Sequence, residues 1–132
     1  MAPGFGGNSS DTAQPQNVLK ELLPDDGIER FAAAFLRSGT LVSAQCLAEG
    51  TLAVVSLRAR TIMQAALHVR ADAMFLAHNH PSGNVVPSAA DLKATLYLRR
   101  IATALEIVLL DHLIFADAHV FSMKSGRRGW TG

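Results

Sequence analysis

Two histidines one residue apart, a Pro-Ser-Gly turn, and then a serine and an aspartate three residues apart constrain this chain more than any other stretch. The string is HNHPSGNVVPSAAD and runs from His78 to Asp91. In an extended segment residues i and i+2 point to the same side, so the imidazoles of His78 and His80 can face one point. Pro81 and Gly83 favour a sharp turn directly afterwards. Ser88 and Asp91 fall where a new helix should begin. Two neutral imidazoles and one carboxylate form a three-ligand zinc set whose fourth tetrahedral position stays open to water. The spacing therefore predicts a catalytic zinc site made of His78, His80 and Asp91.

The flanking residues are expected to form the frame for that site. Residues 1–16 are rich in Gly, Ser, Pro, Asn and Gln and offer little to bury, which predicts a disordered arm ahead of a single domain over 17–132. Asn17 to Leu23 reads as a short helix ended by Pro24. Ile28 to Leu36 is ambiguous: Phe31 and Phe35 stand at helical spacing, yet Phe31, Ala33 and Phe35 also alternate. Ser38-Gly39-Thr40 and the run Leu41 to Leu47 fit a hairpin. Gly50-Thr51 marks a turn, and Leu52 to Ser56 reads as a further strand. Ala59 to Val69 has Ile62, Ala65, Ala66 and Val69 on one helical face. Asp72 to Ala77 has strand length and delivers the two histidines at its C-terminal end. In Ala89 to Leu105, Leu92, Leu96, Ile101 and Leu105 are expected to face the core. Ile107 to Ala116 and Val120 to Met123 read as a hairpin, followed by a polar, basic tail from Lys124. Strands interspersed with helices imply an α/β layer fold, with helices packed on a mixed sheet. Ligands in such folds commonly sit beyond the C-terminal ends of strands, where His78 and His80 fall.

Composition narrows the function classes. The 132 residues suit one domain, and a formal net charge of +1 argues against a strongly basic nucleic-acid surface. The single cysteine, Cys46, cannot form an intrachain disulfide, which suits a reducing compartment. No basic n-region with an apolar run stands at the start, and no apolar stretch reaches the roughly 20 residues that span a bilayer. A cytoplasmic protein with no membrane partner is expected.

The chemistry follows from the donor set. Zinc with an open position lowers the pKa of a bound water to about 7. A further carboxylate should take the proton and pass it to the leaving group. Glu21, Glu29 and Glu49 are the upstream candidates. Ser88 has the right hydroxyl to steady an oxyanion. The same S-x-x-D spacing also suits a helix cap, a carboxylate variant of the capping box, and the two roles are compatible. His112 reads as a core histidine, or one behind the ligands, rather than a fourth ligand, and Asn79 is given a structural role.

The segment HNHPSGNVVPSAADLKAT resembles the signature of RadC-type proteins, which belong to the JAB/MPN (JAMM) metalloprotease superfamily. The superfamily pattern is an upstream Glu, then H-x-H, seven residues, Ser, two residues and Asp, and this sequence matches it without a gap. The likeness continues through Gly50-Thr51 and Leu110-Asp111-His112-Leu113-Ile114 and covers roughly 28–125. It implies a cytidine-deaminase-like three-layer fold, zinc on His78, His80 and Asp91, and strand over 28–36. It also implies that Glu29, in the setting Glu29-Arg30-Phe31, is the catalytic base. A zinc metallopeptidase acting on a peptide or isopeptide bond is the expected activity. The His-Pro-Arg-Glu element of many relatives is replaced here by Leu57 to Thr61, LRART.

A second expectation, implied by the RadC name, is a DNA-repair or mobile-element accessory protein acting by DNA or protein binding, with Arg99, Arg100, Arg127 and Arg128 as its basic residues. Two other chemistries are excluded. The nucleases named for His-Asn-His place those residues far apart, and nucleoside deaminases need H-x-E with a later P-C-x-x-C, neither of which is present.

Overall fold

A computed structural model describes residues 10–49 and 59–131. The elements run α1 (Ser10–Leu22), β1 (Arg30–Arg37), β2 (Thr40–Glu49), α2 (Ala59–His68), β3 (Ala73–Asn79), α3 (Ala89–Ala104), β4 (Val108–Ala116), β5 (His119–Ser122) and β6 (Arg127–Trp130). The turn expected at Gly50-Thr51, the strand expected over 52–56 and the first two residues of the LRART stretch lie outside the described residues, while its last three open α2.

The six strands form one sheet in the order β2-β1-β3-β4-β5-β6. Every neighbouring pair is antiparallel except β3 and β4, which are parallel and joined through α3. Three layers result. Phe31, Ala33 and Phe35 of β1 and Met74 and Leu76 of β3 pack under Ile62, Met63 and Ala66 of α2 and Ala94, Leu98 and Ala102 of α3. On the other face Ala32, Ala34 and Leu36, with Phe75 and Ala77, pack against Leu19 and Leu23 from α1 and the segment after it. The fold is therefore α/β, a mixed sheet flanked by helices, as expected.

The ambiguity over 28–36 has a physical origin. All six residues from Phe31 to Leu36 are buried, because β1 lies inside the sheet with helices on both faces. A strand buried on both faces loses the polar alternation that marks a half-exposed strand. The β1–β2 hairpin closes through Ser38 and Gly39, with φ of 51° and 81°. Positive φ at both central residues is the requirement of a type I′ turn, whose twist matches the flanking strands.

Three expectations are corrected. Helix α1 starts at Ser10 rather than Asn17, so residues 10–16 are helical and not part of a disordered arm. Pro15 sits inside this helix and is buried, so its packing offsets the main-chain hydrogen bond that proline cannot make. On α3, Leu92, Leu96 and Leu105 are exposed, while Ala94, Leu98 and Ala102 face the sheet and Ile101 only borders the core. Small residues let α3 lie close to the strands, which a pattern search weighted to leucine does not register. The basic tail contributes a strand, β6, paired with β5 from Arg127↔Ser122 to Trp130↔His119. An edge strand of this kind is held by main-chain pairing, so Arg-Arg-Gly-Trp needs no apolar face.

Candidate metal centre

His78 is the penultimate residue of β3 and is only 1% exposed. It shares the face of β3 that carries Met74 and Leu76, so its ring enters the layer under α3. His80 follows just past the strand end. Its main-chain N–H donates to the Phe115 carbonyl at 2.8 Å, and its own carbonyl accepts from Gly83 at 3.0 Å. Gly83 closes this turn with φ of +87°, a conformation that favours glycine, and a Cβ there would stand 3.0 Å from the exposed Asp117 carboxylate. The turn brings the Asn84 carbonyl 2.6 Å from His80 Nδ1. A carbonyl only accepts, so Nδ1 carries the proton and Nε2 of the neutral ring presents its lone pair.

Asp91 arrives from the other direction, in the first turn of α3. Ser88 is the N-cap: its hydroxyl accepts from the Asp91 N–H at 3.0 Å, and its own N–H donates to Asp91 Oδ2 at 2.9 Å. This reciprocal capping box fixes the carboxylate, which is 5% exposed. Asp91 Oδ2 then lies 3.2 Å from His80 Nε2, and Oδ1 lies 3.6 Å from His78 Nε2.

His78, His80 and Asp91 thus present three donor atoms within 4.8 Å of one another. The two Nε2 atoms stand 2.8 Å apart, beside a buried carboxylate. Imidazole nitrogens this close to each other and to a carboxylate form a group that could hold a cation. The donor set fits a divalent metal ion of the kind that accepts nitrogen and oxygen together. Burial lowers the proton affinity of His78, against the pull of Asp91, and so favours the neutral form that a ligand needs. Burial alone would raise the Asp91 carboxyl, but the closeness of His78 and the hydrogen bond from the Ser88 N–H outweigh it and hold its proton affinity below the ordinary value.

The upstream carboxylates separate. Glu49 reaches across to Arg30, 3.4 Å from Nε, and is largely exposed. Glu21 is on the exposed side of α1. Glu29 is half-buried, and the charges of His80 and Asp91 bear on it. Burial pushes its carboxyl up; His80 opposes this and Asp91 adds to it.

Two residues behind the site complete it. Asn79, between the histidines, does not face the donor cluster; it binds the main chain on both sides of Glu29. His112, on β4, is fully buried, with Nε2 2.8 Å from His78 Nδ1 and Nδ1 2.6 Å from Thr95 Oγ1. It stands behind His78 and is not part of the converging donor group. Thr95 carried no expectation; its one local signal is the four-residue step from Asp91 along α3. Arg99 and Arg100 on α3 and Arg127 and Arg128 on β6 are exposed.

The model of the RadC-like JAB domain family matches residues 9–130, nearly the whole chain. The chain belongs to the RadC-like JAB domain family. Among its relatives are UPF0758 proteins of Bordetella petrii, 39% identical over 115 residues, and Vibrio cholerae, 38% identical over 118. Another, from Pseudomonas fluorescens, is 34% identical over 116 residues. The matched segments cover 86%, 89% and 87% of this chain and 51%, 52% and 51% of the relatives. This RadC-like JAB domain therefore spans about half the length of the curated relatives it matches. No helix among its described residues is long and apolar enough to cross a membrane.

Proposed function

We propose that this RadC-like JAB domain is a zinc-dependent hydrolase that cleaves a peptide or isopeptide bond. The observation that carries the reading is the convergence of His78, His80 and Asp91, with the half-buried Glu29 carboxyl close enough to feel two of them. Zinc held by these three residues would supply Lewis acidity and a water acidified to a pKa of about 7.

The chain's own residues supply the rest. Glu29 accepts a proton from the attacking water and returns it to the departing nitrogen. Its raised proton affinity suits a group that must do both near neutral pH. Ser88 accepts from the Asp91 N–H and keeps its own hydroxyl hydrogen, which is free to donate to an oxyanion. Asp91 serves as ligand and helix cap together, so the end of α3 and the ligand set form one rigid unit.

The test is metal content followed by turnover. Purified protein should hold about one zinc per chain, as a single three-ligand site with an open fourth position does, and the His78→Ala/His80→Ala variant should hold almost none. Glu29→Gln should keep its zinc and lose about 100-fold or more in kcat on any peptide or isopeptide substrate that the wild type cleaves. A wild type that takes up no zinc, or a Glu29→Gln variant as active as wild type, would overturn the reading.

A further inference from the structure

Five polar atoms of four residues run in line from the donor cluster into the protein. His78 Nδ1 is 2.8 Å from His112 Nε2, His112 Nδ1 is 2.6 Å from Thr95 Oγ1, and Thr95 Oγ1 is 2.8 Å from the main-chain oxygen of Asp91. Each of the three side chains, when neutral, has one hydrogen to give along this line. The line must then point one way throughout.

We infer, on the reading of His78, His80 and Asp91 as metal ligands, that Thr95 and His112 are positioning residues which keep the proton of His78 on Nδ1 and leave its Nε2 free for the metal, with the carbonyl of Asp91 as the end of the line.

Only two polarities are possible. In one, the Thr95 hydroxyl donates to His112 Nδ1, His112 Nε2–H donates to His78 Nδ1, and the hydrogen of His78 is left on Nε2. That nitrogen then has no lone pair for a metal. In the other, His78 Nδ1–H donates to His112 Nε2, His112 Nδ1–H donates to Thr95 Oγ1, and the hydroxyl donates to Asp91. This second order ends on an atom that can accept and never donate, and it alone is compatible with ligation through Nε2. The sulfur of Met123, 3.7 Å from Thr95 Oγ1, is a long and weak acceptor that would give the same order.

The consequence is a coupling between two ligands. The side chain of Asp91 is one ligand, and its carbonyl, through Thr95 and His112, sets the tautomer of another. His80 is set separately by the Asn84 carbonyl. Groups that orient a metal-binding histidine commonly matter about 10–100-fold in metal affinity.

The experiment compares zinc affinity, by competition with a chromophoric chelator, in wild type, Thr95→Val, Thr95→Ser and His112→Phe. Thr95→Val and His112→Phe should bind zinc about 10–100-fold more weakly, and Thr95→Ser, which keeps the hydroxyl, within about 3-fold of wild type. Imidazole nitrogen NMR of the zinc-loaded wild type should find the His112 proton on Nδ1. A proton on His112 Nε2 in that state, or wild-type affinity in both Thr95→Val and His112→Phe, would sink the proposal. If His112→Phe does not fold, the near-isosteric Thr95 pair decides. A wild type that binds zinc with variants unaffected removes the positioning role alone. A wild type that binds none removes the metal centre with it.

Discussion

Asn79 holds the main chain on both sides of Glu29. Its Oδ1 accepts from the Arg30 N–H at 2.7 Å, and its Nδ2 donates to the Ile28 carbonyl at 2.9 Å. The residue between the two histidines therefore ties the strand that carries the candidate donors to the segment carrying the candidate base. Asn79→Ala leaves two main-chain groups without their partner, which should cost about 1–3 kcal/mol in chemical denaturation. Zinc content should be kept, because His78 and His80 do not depend on this amide, while kcat should fall through a misplaced Glu29. Loss of zinc with an unchanged kcat per zinc would show that Asn79 serves the ligands instead.

Asp91 has two roles that can be separated. Asp91→Asn keeps an oxygen for the Ser88 N–H and the side-chain half of the cap, but brings no negative charge to the metal. Its metal-free melting temperature should stay near wild type while zinc affinity drops at least about 10-fold. Asp91→Ala should lose the affinity and also about 0.5–2 kcal/mol of stability with the cap. Equal metal-free stability in the two variants would mean that the capping box contributes nothing.

The metal-free protein should weaken as the pH falls. His78 and His112 both bind protons less readily in the fold than at their ordinary value of 6.5. Below 6.5 the unfolded chain takes up protons at these sites first, so stability falls as pH drops from about 7 to about 5. Asp91, also held below its ordinary value, acts in the same sense at lower pH. Glu29 runs the other way, since a carboxyl with a raised value stabilises the fold at low pH and loses that contribution as pH rises, but it is only half-buried. Thermal melts in chelator across this range check the sign, and a flat or rising curve on acidification would contradict it.

The packing of α3 is tested by two leucines two residues apart. Leu98 is fully buried and Leu96 is 48% exposed. Leu98→Ala should cost about 2–5 kcal/mol, whereas Leu96→Ala should change stability by less than about 1 kcal/mol. The reverse ranking would restore the helix face expected from the leucine pattern.

Much of the site is legible because it is local. The H-x-H step on a strand, the turn at Pro81 to Gly83 and the S-x-x-D start of a helix lie within 14 consecutive residues, so short-range geometry governs them. The strand-helix alternation gave the layers for the same reason. The face of α3 was misread because Leu92 and Leu96 imitate an apolar stripe, while the core is filled by Ala94, Leu98 and Ala102. The helical start of α1 was hidden by polar residues that a solvent-facing side tolerates, and β6 by a strand that needs only main-chain pairing.

The sequence by itself determined the candidate donor set, the cap and the class of fold, since each depends on spacing along a few turns of chain. Only the tertiary structure decided what stands behind the donor cluster and what ties β1 to β3 beside it. Asn79 reaches Ile28 and Arg30 across the β1–β3 pairing, and His112 reaches Thr95 and His78 because parallel pairing sets β4 beside β3 under α3. Those partners are 17 to 51 residues apart in the chain. Hydrogen bonds act over about 3 Å, so strand register, and not sequence distance, selects them.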